Sequence, residues 1–514
     1  VTAQEIFLAA MFLGLFAGIL SGIPAMLAIA GVPLMTAIVG HLFGVFDLSF
    51  LSFFPARVWG IMSNSLLMAV PLFVLMGVLL ERARLAENML SVLARMMGGS
   101  PRGMGLSVLL FSAMIAAATG IIGATVVMLV LVGLKPMLEA GISKRSASGL
   151  ICASGTLGQI IPPSILLVLL GDQIGNTYLE AQQKAGNFAP LPVSVGDLFA
   201  GALVPGLVLV ALYAAWLFFS LRPARDAPPP PKPERVSRRE VMTTFLPPAL
   251  LILAVLGSIL GGVATATEAA GLGAIGALLL AAFAATANRT ERALIVATGL
   301  AAFLLVALQM AGLGRATGNS VAGLFAIAAA ILIALGTITA GARLWRTGTL
   351  ASATIETVKV SGMVFGIVVA ASLLSLVFRG FGGDHLVTEL LAHLPGGHVA
   401  ALAIIMLLVF FLGFILEAVE IIYVVVPLLG PAVLGSDISP VWFGVLMAMN
   451  LQTSFLTPPF GFALFYFRSA APRSISTGDI YRGVIPFVIL QLLALAILAA
   501  FPPLATWLPH VIFG

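Results

Sequence analysis

The chain has 514 residues, of which 61% are hydrophobic and 9% charged, whereas a water-soluble chain carries roughly 25% charged residues. Lysine and arginine outnumber aspartate and glutamate, 25 to 20, but they gather at the ends of apolar runs, where they orient helices in a membrane, so no nucleic-acid partner is expected. The single cysteine, Cys152, excludes an internal disulfide, and no Cys/His cluster has metal-site spacing. The composition is that of an all-α polytopic membrane protein.

A crossing helix needs about 20 mainly apolar residues. The first spans are expected at 5–22, 24–43 and 58–80. The first lacks the basic flank of a secretory signal, so it is expected to be retained. Stretch 104–140 follows, flanked by Arg102 and by Lys144–Arg145. Arms of about 15 residues reach only ~22 Å, short of a core about 30 Å thick, so this stretch reads as a re-entrant hairpin. Its tip, AAATGIIGAT, offers small residues and hydroxyls at Thr119, Gly120, Gly123 and Thr125. The next span, 146–170, contains GTLGQIIPPSI. Its paired prolines remove backbone donors and clash with the preceding turn. Unwound backbone at membrane depth is tolerated only where it is buried or lines a cavity. Ser154, Gly155, Thr156, Gly158, Gln159, Pro162 and Ser164 surround this break. A polar loop at 171–198 and a span at 199–220 complete the first half, 1–221.

Residues 222–240, RPARDAPPPPKPERVSRRE, form a stiff, solvated linker. Its six basic residues place it in the cytoplasm. Counting sides from it puts Lys144, Arg289, Arg343 and Arg468 inside and 171–198 outside; Arg315 and Arg379 are exceptions.

The second half, 241–514, opens with spans 244–262 and 269–287 and carries an extra pair within 294–340. Glu268, in GGVATATEAAG, reads as a packing or a site residue. After span 361–378 comes Arg379, which either grips a substrate carboxylate through two parallel hydrogen bonds or snorkels to the interface. Stretch 399–434 reads as a second re-entrant hairpin, with Glu417 and Glu420 at its tip. An acid at the bilayer centre costs about 2.5–3.5 kcal/mol. Three residues apart, the two share a helical face; they bind a cation, titrate, or are satisfied structurally. Span 440–467 holds the second break, NLQTSFLTPPFGF, and 485–507 is the last span.

Pro162–Pro163 and Pro458–Pro459 are 296 residues apart, and Pro136 and Pro431 are 295 apart. Two landmarks at nearly one spacing indicate duplicated halves. By the side count the hairpins open to opposite faces, the inverted-repeat signature of secondary transporters. Breaks free carbonyls for a small cation, while helix N-termini face an anion; the alternative at each break is a packing kink. The expected cation-binding set is Thr119, Gly120, Gly123, Ser154, Gly155, Thr156 and Pro162 in one half, and Glu417, Thr453, Ser454, Thr457 and Pro458 in the other. The expected substrate-binding set is Gln159, Ser164, Arg379, Asn450 and Gln452. An enzyme would need a nucleophile–base pair or a metal cluster at membrane depth, and neither is visible. No Walker motif is present, so ATP does not drive the chain directly, and inverted hairpins fit a channel poorly.

GATVVMLVLVGLKPML, LGQIIPPSI, GGVATATEAAG and FLTPPFGFALFY, in that order, resemble the landmarks of the large permease of tripartite ATP-independent periplasmic (TRAP) transporters. The tip ATGIIGAT departs from the serine-glycine-serine tip common in that family. It resembles the branch labelled for mannitol, chloroaromatic or 2-oxo acid transport, as does the extra pair of spans. The resemblance implies a bacterial inner-membrane location and an elevator-type fold related to the divalent-anion/sodium symporters. It implies sodium-coupled import of a small organic acid, without an organic cofactor. The implied partners are a small four-helix membrane subunit and a soluble periplasmic substrate-binding protein. The alternative is a stand-alone exporter or antiporter of related fold, needing no binding protein.

Overall fold

The computed structural model describes residues 2–120, 122–221, 236–310, 321–392 and 395–514; Arg315 and linker residues 222–235 lie outside these. Helices and the turns between them account for the described residues, with no strand among them. A chain this apolar must satisfy its backbone internally, which helices do segment by segment. Ten described helices are long and apolar enough to cross a membrane.

One succession of elements occurs twice. In the first half it is a span (Ala69–Arg82), a short helix (Leu85–Met96), a hairpin (Pro101–Thr119 and Ile122–Leu129, running on to Lys135–Glu139), a broken helix (Lys144–Thr156 and Ile165–Lys184) and a span (Val195–Ser220). In the second half it is Thr349–Gly380, Gly383–Ala392, the hairpin Gly397–Leu412 and Ala418–Leu429, the broken helix Pro440–Leu456 and Phe462–Ala470, and Thr477–Ala500. Leu246–Leu260, Ala266–Ala285, Arg289–Met310 and Val321–Arg346 stand between.

The halves interlock. Each hairpin's first arm packs on the upstream piece of its own broken helix, and its second arm packs on the downstream piece of the other half's. Thus Ile122–Leu129 lies on Phe462–Ala470, and Ala418–Leu429 lies on Ile165–Lys184. Lys144–Thr156 and Thr477–Ala500 meet at Gly149 and Gly483, where a Cβ on either would strike the facing backbone, the close approach that small residues permit between membrane helices.

Several boundaries differ from the sequence expectation. The segment expected as an outside loop from 171 is helical to Lys184, because its polar residues find partners: the Asn64 amide donates to Asp172 (2.8 Å) and Arg379 to Glu180 (2.9 Å). Span 58–80 is divided at Asn64, whose side chain caps the turn Ser65–Met68. Span 361–378 is a 32-residue helix, since Glu356 within its added portion pairs with Arg82 at 2.5 Å. Span 485–507 is two helices, Thr477–Ala500 and Pro503–Phe513, separated at Pro502.

A cavity between two hairpin tips

Glycines set the first tip. Gly120 has φ +59°, and a Cβ there would lie 3.0 Å from Ile165, so the turn needs both the left-handed conformation and the missing side chain. A Cβ on Gly123 would lie 2.8 Å from the Tyr466 ring, and one on Gly155 would strike Val126. The tip therefore touches the downstream pieces of both broken helices. Of Thr119, only the backbone lies within the described structure.

The second hairpin is held by side chains of its neighbour. The Asn450 amide donates to the Met406 carbonyl and the Ser454 hydroxyl to the Phe410 carbonyl, each at 2.6 Å. At its tip, the Glu417 N–H donates to Glu420 Oε2 at 3.1 Å. Glu420 thus serves the start of helix Ala418–Leu429, while Glu417 lines the cavity with the Tyr466 hydroxyl 3.5 Å away. The two acids precede and begin the helix rather than sharing its face.

At the breaks, the helical path stops at Pro162–Pro163 and Pro458–Pro459. The Ser164 hydroxyl donates to the Gln159 carbonyl (3.1 Å) and caps the helix beginning at Ile165. Thr453 and Thr457 donate to the Met449 (2.8 Å) and Thr453 (2.7 Å) carbonyls of their own helix. A hydroxyl that donates keeps acceptor lone pairs; Thr453 is fully buried, and neither threonine lines the cavity between the tips.

Between the tips lies a cavity of about 120 Å³ that is partly open to its surroundings. Four helices begin at its wall, at Ile122, Ile165, Ala418 and Phe462. Each N-terminus carries roughly half a positive charge. Gln159 also lines it, 5% exposed, with no hydrogen-bond partner on Oε1 among the described residues. A second cavity shares Val74 and Val360 with it and reaches Glu81 and Glu356.

Of the residues expected to bind cation or substrate, Gly120, Gly123, Gln159 and Glu417 line this cavity. Pro162 and Pro458 form the breaks beside it. Arg379, Asn450 and Gln452, expected to contact substrate, do not line it. Arg379 is gripped by Glu180 (2.8 Å) and Asp384 (3.7 Å). Asn450 faces the hairpin arm. Gln452 and Thr156 turn into a buried polar knot, where Gln491 Nε2 donates to the Thr156 hydroxyl at 3.3 Å and the Tyr213 hydroxyl faces both glutamine amides. Ser154 is buried, with no partner on its hydroxyl among the described residues. Tyr466 and Asp172 were missed from sequence. Tyr466 stands one turn beyond the second break, a position that marks a wall of any site there; Asp172 offered only an acid in what read as an outside loop.

Residues 10–316 and 285–504 match the family described as the tripartite ATP-independent periplasmic transporter, DctM component. The chain is 25% identical to a C4-dicarboxylate TRAP transporter large permease of Vibrio cholerae, covering 87% of this chain and 86% of that one. It is 26% identical to a sialic acid TRAP large permease of the same organism (90% and 91% covered). It is 25% identical to an ectoine TRAP large permease of Halomonas elongata (87% of each). The crystal structure of the YdaH transporter of Alcanivorax borkumensis has a similar fold, with a TM-score of 0.52 over 90% of each chain at 14% identity.

Proposed function

The chain belongs to the DctM family of tripartite ATP-independent periplasmic transporters, and we propose that it imports a small organic acid through the cavity between its hairpin tips, coupled to sodium. It is a multi-pass inner-membrane permease of a secondary transporter, not an enzyme.

The observation that carries the substrate reading is the convergence of four helix N-termini on one cavity. Each directs partial positive charge at its contents, the means by which broken helices receive an anionic group in a membrane; Ser164 and Glu417 cap one N–H each at two of them. The compounds named in the three relatives, a C4-dicarboxylate, sialic acid and ectoine, are all carboxylates. The coupling ion is sodium, held at the breaks by freed carbonyls with Thr453, Thr457 and Ser154 as hydroxyl donors of lone pairs, and Glu417 nearby. The hairpins and broken helices move as one unit against Ala69–Arg82 and Thr349–Gly380, carrying the cavity from one membrane face to the other. Substrate arrives on a soluble periplasmic binding protein, and a small four-helix membrane subunit completes the permease in the lipid.

The test is uptake of a panel of radiolabelled short-chain carboxylates into proteoliposomes, with the small subunit and binding protein added. Uptake should need an inward sodium gradient and the binding protein. Full uptake with potassium in place of sodium, under a proton gradient alone, would overturn sodium coupling. Full uptake without the binding protein would favour the stand-alone exporter or antiporter.

A further inference from the structure

We infer that the cavity selects monocarboxylates with an apolar body and excludes dicarboxylates, Glu417 being the excluding charge; this rests on the organic-acid reading above. Among the described residues lining the cavity, Glu417 is the single charged side chain, and no lysine, arginine or histidine is present. The neighbouring tip residues outside the description of side chains, 116–119 and 121, are Ala, Ala, Ala, Thr and Ile, so the sequence adds no charge there. The residue most able to receive a second carboxylate, Arg379, is committed to Glu180 and Asp384 away from the cavity.

One carboxylate is provided for by the N-termini. A second has two destinations. Against Val70, Val74, Leu166, Leu169 or Val364 it would be a charge on an apolar wall, which is costly without a partner. Toward the second hairpin it would meet Glu417, a like charge in a partly desolvated site. Glu417, with Glu420 behind it at the start of the same helix, opposes the partial positive charge of the N-termini on the second hairpin's side of the cavity, so a second carboxylate gains nothing there. The same walls that penalise a second charge gain from burying an alkyl or branched body.

The clean probe pair is hexanoate and hexanedioate, equal in length and differing in the second carboxylate. Thermal stabilisation of the purified full-length chain is followed against each, at fixed sodium. Half-maximal stabilisation at a concentration at least tenfold lower for hexanoate supports the inference. Equal or stronger stabilisation by hexanedioate overturns it and leaves the organic-acid reading standing. No response to either probe overturns the inference, since an apolar-bodied monocarboxylate would then not be held, and leaves the organic-acid reading to the uptake panel. Glu417→Gln should reduce the preference for hexanoate to within threefold, read as a ratio of two ligands on one protein. A Glu417→Gln protein that melts cooperatively and keeps the tenfold preference removes Glu417 from the role. If that variant does not fold, the wild-type ratio alone decides the selectivity.

Discussion

The Ser454 hydroxyl meets the Phe410 carbonyl at 2.6 Å, one turn along from where the Asn450 amide meets the Met406 carbonyl. Phe410 lies in the last turn of Gly397–Leu412, where carbonyls lack intrahelical partners. Removing the hydroxyl leaves a buried acceptor unmatched, a cost of about 1–3 kcal/mol. Ser454→Ala should lower the melting temperature measurably, and combining it with Asn450→Ala should be non-additive, because both hold one arm. Melting of Ser454→Ala indistinguishable from wild type would remove the tether.

Gly155 is predicted to be a packing glycine. Gly155→Ala forces a methyl group into Val126, an overpacking cost of about 1–3 kcal/mol. Uptake and stability should both fall, and Val126→Ala in the same protein should restore most of each. Failure of that second change to rescue would return Gly155 to the role of a backbone ligand.

Arg379→Gln is expected to act on stability rather than substrate affinity. It removes one of the two cations held by Glu180 and Asp384, which keep Lys184 at 2.9 and 3.6 Å, at a partly exposed site where such pairs contribute about 1 kcal/mol or less. The KM for uptake should change by less than about twofold, and melting should fall slightly. A KM raised tenfold with unaltered melting would mean that the guanidinium reaches the substrate after all.

Sodium binding is expected to depend on Thr453. Thr453→Val keeps the shape but loses the hydroxyl, and should raise the sodium concentration for half-maximal uptake about tenfold, or ~1.4 kcal/mol. Thr339→Val, whose hydroxyl donates to Gly336 within Val321–Arg346, should leave the curve in place. Coincident curves for Thr453→Val and wild type would withdraw the hydroxyl from the ion's shell.

Orientation can be checked by impermeant thiol reagents on intact cells. Cys152 is fully buried, so the native chain should be silent. Phe188→Cys, at a residue 82% exposed, should label from outside; Pro230→Cys should label only after permeabilisation. The reverse pattern would invert the topology.

The two breaks were legible because a pair of prolines cannot continue a helix. Both apolar stretches turn back as hairpins, but the length argument underestimated the first, whose arms Pro101–Thr119 and Ile122–Glu139 run 19 and 18 residues. The short helices Leu85–Met96 and Gly383–Ala392 were not legible. Each is under one membrane thickness and carries charges, so it reads as a loop until its packing is seen. Among the expected residues, Gly120, Gly123, Gln159 and Glu417, which stand at a tip or a break, line the cavity. Asn450, Gln452 and Arg379 looked equally suited. Which face of a helix meets the cavity and which meets a neighbour is set by tertiary packing, and composition near a break does not contain it.

The interlocking of the halves has a consequence for how easily the hairpin unit slides. Where it borders Ala69–Arg82 and Thr349–Gly380, the cavity walls are valines and leucines, so displacement there exchanges one apolar contact for another. Among the described residues, polar fastenings beside that border join Asn64, just upstream of Ala69–Arg82, to Asp172, Arg379 to Glu180, and Lys184 to Asp384. All three engage the single helix Ile165–Lys184. The resistance to sliding is therefore concentrated on one helix, and weakening any of these latches should change how fast the unit moves more than how tightly it holds its cargo.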